Sequence, residues 1–102
     1  MSGTLPIEIP AAPLAEFCRV NHIKRLSLFG SVLRDDFTPQ SDIDLLVEFE
    51  PGTRIGLIGF AGVEEQLTHL FGRKVDLNTP QCLSKYFRDE VIREARAIHV
   101  AA

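Results

Sequence analysis

Tryptophan is absent from these 102 residues, tyrosine occurs once, at Tyr86, and the only methionine is Met1. No apolar stretch approaches the roughly 20 residues that cross a bilayer. The opening MSGTLPIEIPAAP lacks both the basic head and the apolar run of a secretory signal. Together these absences point to a soluble, cytoplasmic chain with no membrane association. Only two cysteines occur, Cys18 and Cys82, and neither belongs to a CxxC pair, which argues against a disulfide framework and for reduced thiols. Cys18 and His22 are four apart and could share a helix face. With no second ligand pair at zinc spacing, plain packing is the stronger reading. An excess of basic residues is also missing: the formal net charge is −3, which opposes non-specific binding to nucleic acid. There is no GxGxxG and no GxxxxGK[ST], so dinucleotide-binding and P-loop motifs are excluded.

What is present is an ordinary globular composition, 45% apolar and 25% charged, in a length that suits one domain and one core. Pro6, Pro10 and Pro13 suggest an extended arm over residues 1–13, ahead of a single domain over 14–102. Pro13 would fall in the first turn of a helix that places Leu14, Phe17 and Cys18 on one face and stops near Asn21. RLSLF reads as a strand ended by Gly30-Ser31, TPQS as a turn, and DIDLLVEF as the strongest strand, closed by Pro51-Gly52. The next helix carries Phe60, Val63, Leu67, Leu70 and Phe71 on one side, with Gly72 as its C-terminal cap. KVDLNTP is a short strand. Leu83, Phe87, Val91, Ala95 and Ile98 then predict one long final helix. The expected fold is a small two-layer α/β (α+β) domain, about three strands in a short mixed sheet with helices packed on one face. One sheet face is left over.

The chemistry concentrates in LFGSVLRDDFTPQSDIDLLVEF, residues 28–49. Strand alternation puts Asp42 and Asp44 on one side while Ile43, Leu45 and Val47 point to the other. Two carboxylates so close repel each other when both are charged. A divalent cation relieves that repulsion, and Mg²⁺ suits one or two carboxylates plus phosphate oxygens. The alternative is a solvated strand end that merely caps the preceding turn. Gly30 allows the backbone to approach a ligand, and Ser31 opens a short turn with free N–H groups for an anion. Asp76, in RKVDLN, is a third acid on another short strand. If that strand lies beside the first, three carboxylates converge, as two-metal phosphoryl or nucleotidyl transfer requires.

Gly30-Ser31, ten residues, then Asp42-Ile43-Asp44 resembles the GSx₁₀DxD signature of nucleotidyltransferases of the DNA polymerase β superfamily. GSVLRDDFTPQSDIDLLVEF followed by GRKVDL resembles, more narrowly, the minimal nucleotidyltransferases that act as antitoxins to HEPN-domain ribonuclease toxins, over about residues 14–98. The resemblance implies a nucleotidyltransferase fold and Mg²⁺-dependent transfer of AMP from ATP to a toxin tyrosine, with two metal ions, in a type VII-like toxin–antitoxin pair. It implies that Gly30 and Ser31 hold the β- and γ-phosphates, that Asp42, Asp44 and Asp76 hold the metals, and that Asp76 helps deprotonate the acceptor. Arg34 and Ser41 would support nucleotide binding. Asp35 departs from the small residue that many relatives carry after the arginine. Arg34 could instead pair with Asp35 or Asp36, and Ser41 could simply close a turn.

Size adds an argument for a partner. Larger nucleotidyltransferases recognise their acceptor with an additional domain, which this chain lacks, so the acceptor would arrive on its own scaffold. Two alternatives stand beside the adenylyltransferase reading: an antitoxin that neutralises by binding alone, and a small-molecule nucleotidyltransferase. Tyr86 reads as helix packing or partner contact, and His22, His69 and His99 carry no catalytic spacing.

Overall fold

A computed structural model describes residues 6–35 and 37–101. Residues 1–5 of the expected arm, together with Asp36, lie outside the described residues. The elements are α1 (Ala11–Val20), β1 (Ile23–Phe29), a 3₁₀ turn (Gly30–Leu33), β2 (Ile43–Phe49), α2 (Leu57–Phe71), β3 (Val75–Asn78), a second 3₁₀ turn (Pro80–Cys82), α3 (Arg88–Glu94) and β4 (Arg96–Val100). The sheet order is β3-β2-β1-β4; β2 and β3 run parallel, while β1 is antiparallel to both β2 and β4.

The core follows the apolar pattern of the sequence. Leu14 and Cys18 of α1 and Val63 and Leu67 of α2 are buried against Leu26, Leu28, Ile43, Leu45, Val47, Val75 and Leu77 of the sheet. Ile23 joins them because the register slips between Ile23 and Arg25, and this bulge turns both Ile23 and Leu26 toward the same face. α1 begins at Ala11, so Pro13 sits in its first turn, where its missing N–H leaves no bond unmade. At its other end Asn21 Nδ2 donates to the Phe17 carbonyl, 2.9 Å away. Ile7 and Ile9, from the proline-rich arm, pack against the core. α2 ends as its sequence indicates, with Gly72 at φ 68 and its N–H returned to the carbonyls of the last turn.

The C-terminal region differs from expectation. The long helix through Ile98 is instead a seven-residue α3 followed by a fourth strand. Val91, Ala95 and Ile98 fit a helical period, but Ala95 is extended, and Arg96 to Val100 add a ladder to the edge of β1. Pairing with an open strand edge outweighed local periodicity. α3 keeps favourable ends, with Asp89 and Glu90 in its first turn and Arg93 in its last.

The fourth strand also changes the second sheet face. The chain must pass from β3 at one edge to β4 at the other. Leu46 and Ser27, neighbours on the face opposite the core, are both buried. Val91 and Glu94 of α3 share a cavity with Phe29, whose side chain alternates away from core-facing Leu28. α1 and α2 therefore cover one face, and the returning segment covers part of the other. The carboxylates lie at the end of this second face.

Candidate active site

Each acid is placed by a different local device. Asp42 precedes β2, in the stretch where Ile43 N–H donates to the Lys74 carbonyl at 2.9 Å. Asp44 lies inside β2, between buried Ile43 and Leu45, so its side chain emerges on the second face. Asp76 is its register partner on β3. Neighbouring strands lie about 4.8 Å apart, so these two carboxylates stand side by side on one face. β3 is locked in that register from outside: Val75 N–H donates to Thr68 Oγ1 at 3.0 Å and Leu77 N–H to Glu64 Oε2 at 2.8 Å, both on α2. These bonds satisfy edge N–H groups and hold Asp76 against Asp44.

Gly30 completes the wall. Its φ of 77 is a left-handed conformation, and a Cβ built there would collide with Asp44 Oδ2 and lie 3.2 Å from Asp44 Cγ. Only glycine lets the turn after β1 close over the carboxylate. Phe29 is the register partner of Asp44, which carries this turn directly to the acids.

The electrostatics agree with that packing. Burial first, then the charges of Asp76 and Asp42, push the Asp44 carboxyl above the usual aspartate range, while Arg34 pulls it down. All three acids and Arg34 thus act on one point. Lys74 Nζ stands 4.0 Å from Asp42 Oδ2, a cation that pattern reading passed over; its place directly before the Val75-Asp76 strand was the available signal. Ser41 has an occupation of its own. Its Oγ accepts the Thr38 N–H at 3.0 Å and lies 3.1 Å from Thr38 Oγ1, closing the turn before the acids. Arg73 braces the same turn, donating to the Thr38 carbonyl and stacking over the Phe37 ring.

The donors suit a hard divalent ion: carboxylates share one face, and the Asp44 carboxyl is raised by burial and then by its neighbours' charges, a repulsion that a cation would relieve. As the side chains stand, no three Asp, Glu, His or Cys groups among the described residues are gathered closely enough to enclose an ion. Asp42 and Asp76 are exposed. Cys18 is buried, its thiol pushed up to about 11 by burial, and it belongs to the core.

The nucleotidyltransferase domain family matches residues 14–98. This chain belongs to that family. It is a nucleotidyltransferase of the minimal type, the family that the GSx₁₀DxD stretch resembles. Protein adenylyltransferase MntA of Thermococcus cleftensis is 35% identical over 72 residues, 71% of each chain. Among solved structures, a toxin–antitoxin crystal structure with AMP-PNP superposes with a TM-score of 0.71 at 19% identity, covering 91% of this chain and 75% of that one. A second, of tri-AMPylated Shewanella oneidensis HEPN toxin in complex with MNT antitoxin, gives 0.61 at 20% identity, covering 87% and 68%. At those identities the likeness establishes the fold. Among the described residues no helix of this nucleotidyltransferase is long and apolar enough to cross a membrane.

Proposed function

We propose that this protein is the antitoxin of a type VII-like toxin–antitoxin pair, acting in the cytoplasm as a Mg²⁺-dependent protein adenylyltransferase. Its substrates would be ATP and a tyrosine hydroxyl of a HEPN-domain ribonuclease toxin. The observation that carries the reading is the pairing of Asp44 with Asp76 across β2 and β3, roofed by Gly30. The named activity of the Thermococcus relative, and the HEPN toxin bound in the Shewanella structure, support the acceptor. Leu57, Ile58 and Tyr86 are 90%, 91% and 89% exposed. Such apolar exposure suits a protein partner, and it removes helix packing as an account of Tyr86.

Asp42, Asp44 and Asp76 would hold two Mg²⁺ ions. When bound, these ions would neutralise triphosphate charge and polarise the attacked phosphorus. Gly30 and Ser31 bind the β- and γ-phosphates through backbone N–H groups and the Ser31 hydroxyl. Arg34 lies close enough to act on Asp44 and offsets phosphate charge on that side. Asp76, the exposed acid nearest the sheet edge, accepts the tyrosine proton. The phenolic oxygen then bonds to the α-phosphorus as the bond to the bridging oxygen breaks, and pyrophosphate leaves.

The test is incubation with ATP, Mg²⁺ and a HEPN-domain toxin, followed by intact-mass analysis. A gain of one or more AMP groups, lost when tyrosine is replaced by phenylalanine in the partner, is expected. A stable complex with no added mass would make the protein a binding-only antitoxin. Absence of both complex and modification would overturn the reading.

A further inference from the structure

Beyond the acids, Gly30 has a second neighbour. Phe29, Gly30, Leu33, Arg34, Val91 and Glu94 line an open cavity of about 430 Å³, within the ~300–1,000 Å³ typical of small-molecule sites. Gly30 is the wall that this cavity shares with Asp44. A triphosphate seated on Gly30-Ser31 would therefore lie at the cavity's border. Away from Arg34, which stands on the side toward Asp44, the lining is poor for phosphate: Phe29, Leu33 and Val91 are apolar, and Glu94 adds a negative charge. A flat, mostly apolar ring carrying one hydrogen-bond donor fits better. Phe29, Leu33 and Val91 offer surfaces for its faces, and an ionised carboxylate can only accept hydrogen bonds.

We propose that this cavity is the nucleobase subsite, and that Glu94 selects adenine by accepting its exocyclic amine. The proposal rests on the reading of Gly30-Ser31 as the triphosphate turn. Glu94 is then a specificity-determining residue contributed by α3, the element that sequence periodicity misplaced. Hypoxanthine carries a carbonyl oxygen where adenine carries the amine. Against Glu94 that oxygen would meet a second acceptor, and the mismatch would weaken binding. Glutamine at this position has both a donor and an acceptor and would tolerate either base. Glu94 is exposed at the end of a short helix, so the change leaves the core untouched.

The experiment is calorimetric titration of the full chain with Mg²⁺ complexes of ATP, ITP and inorganic tripolyphosphate. The wild type is expected to bind ATP roughly tenfold more tightly than ITP, the worth of one hydrogen bond. Glu94→Gln should narrow that ratio to within about threefold, and Val91→Ala should weaken ATP several-fold; both should leave tripolyphosphate affinity unchanged. An ATP-to-ITP ratio that Glu94→Gln does not move overturns the proposal while leaving the triphosphate site standing. Equal losses for ATP and tripolyphosphate in both variants would also overturn it, since the cavity would then serve the phosphates. Failure of the wild type to bind either ATP or tripolyphosphate would bring down the nucleotidyltransferase site, and this subsite with it.

Discussion

At the β3 edge of the sheet, backbone N–H groups are claimed by side chains of α2, whereas β4, at the opposite edge, is held through its ladder with β1 and by Ala101 N–H on the Lys24 carbonyl. The β3 edge carries Asp76, and any slip of β3 by one residue would swing that acid to the core face. Fixing the register from α2 therefore fixes the site. The β4 edge carries none of the three acids. It follows α3, whose Val91 and Glu94 wall a cavity instead of meeting acids. One half of the sheet is tied so that charges stay in place, and the other half shapes the surroundings.

The sharpest way to separate the halves is charge removal. Asp44→Asn should lower AMP transfer by about a thousandfold or more, since it takes away a shared ligand at the centre of the site. The same change should raise stability in metal-free buffer at neutral pH. Folding raises the Asp44 pKa, so its ionised form carries a folding cost above the ordinary aspartate pKa of about 3.9. That gain should disappear in thermal melts as pH falls below this value. By the same sign, Mg²⁺ affinity of the wild type should decline as acid protonates Asp44.

Asp76→Asn comes next. Transfer should fall by about a hundredfold while Mg²⁺·ATP affinity stays within about tenfold, because Asp76 serves the incoming hydroxyl more than the triphosphate. Single-turnover labelling beside a binding titration separates the two effects. Gly30→Ala should cost about 2–4 kcal/mol in denaturant unfolding, the sum of left-handed strain and the clash with Asp44. Thr68→Val keeps shape but leaves Val75 N–H without its acceptor, and about 1–2 kcal/mol should be lost. Val100→Thr, on the half-exposed end of β4, should move stability by less than about 0.5 kcal/mol. If the last two changes prove equally costly, the contrast between the edges fails.

Much of the acid-bearing half could be read from residue order, because its signals are local. Alternation in DIDLLVEF separates acids from core, Gly72 ends α2, and RKVDLN places an aspartate between two buried positions. The adjacency of Asp44 and Asp76 required one further step, that β3 pair with β2, and Thr68 and Glu64 make that pairing in ways no spacing announces. The C-terminal half failed for the opposite reason. Val91, Ala95 and Ile98 satisfy a helical period, and only the open edge of β1 decides that Arg96 to Val100 become a strand. Non-local pairing also hid the cavity, since Phe29 and Glu94 are far apart in the chain. Ser41 and Lys74 show a finer limit. The hydroxyl is drawn into the Thr38 turn, and the ammonium lies near Asp42 through the β2–β3 pairing.

The central claim is that the face shared by Asp42, Asp44 and Asp76 is a metal-loaded triphosphate site. Calorimetric titration of the intact chain with ATP, in Mg²⁺ and then in EDTA, tests it most directly. At least about tenfold tighter binding in Mg²⁺, abolished by Asp44→Asn, is the expected result. Equal affinity in the two buffers would contradict it, and the carboxylates would then be a solvated strand end.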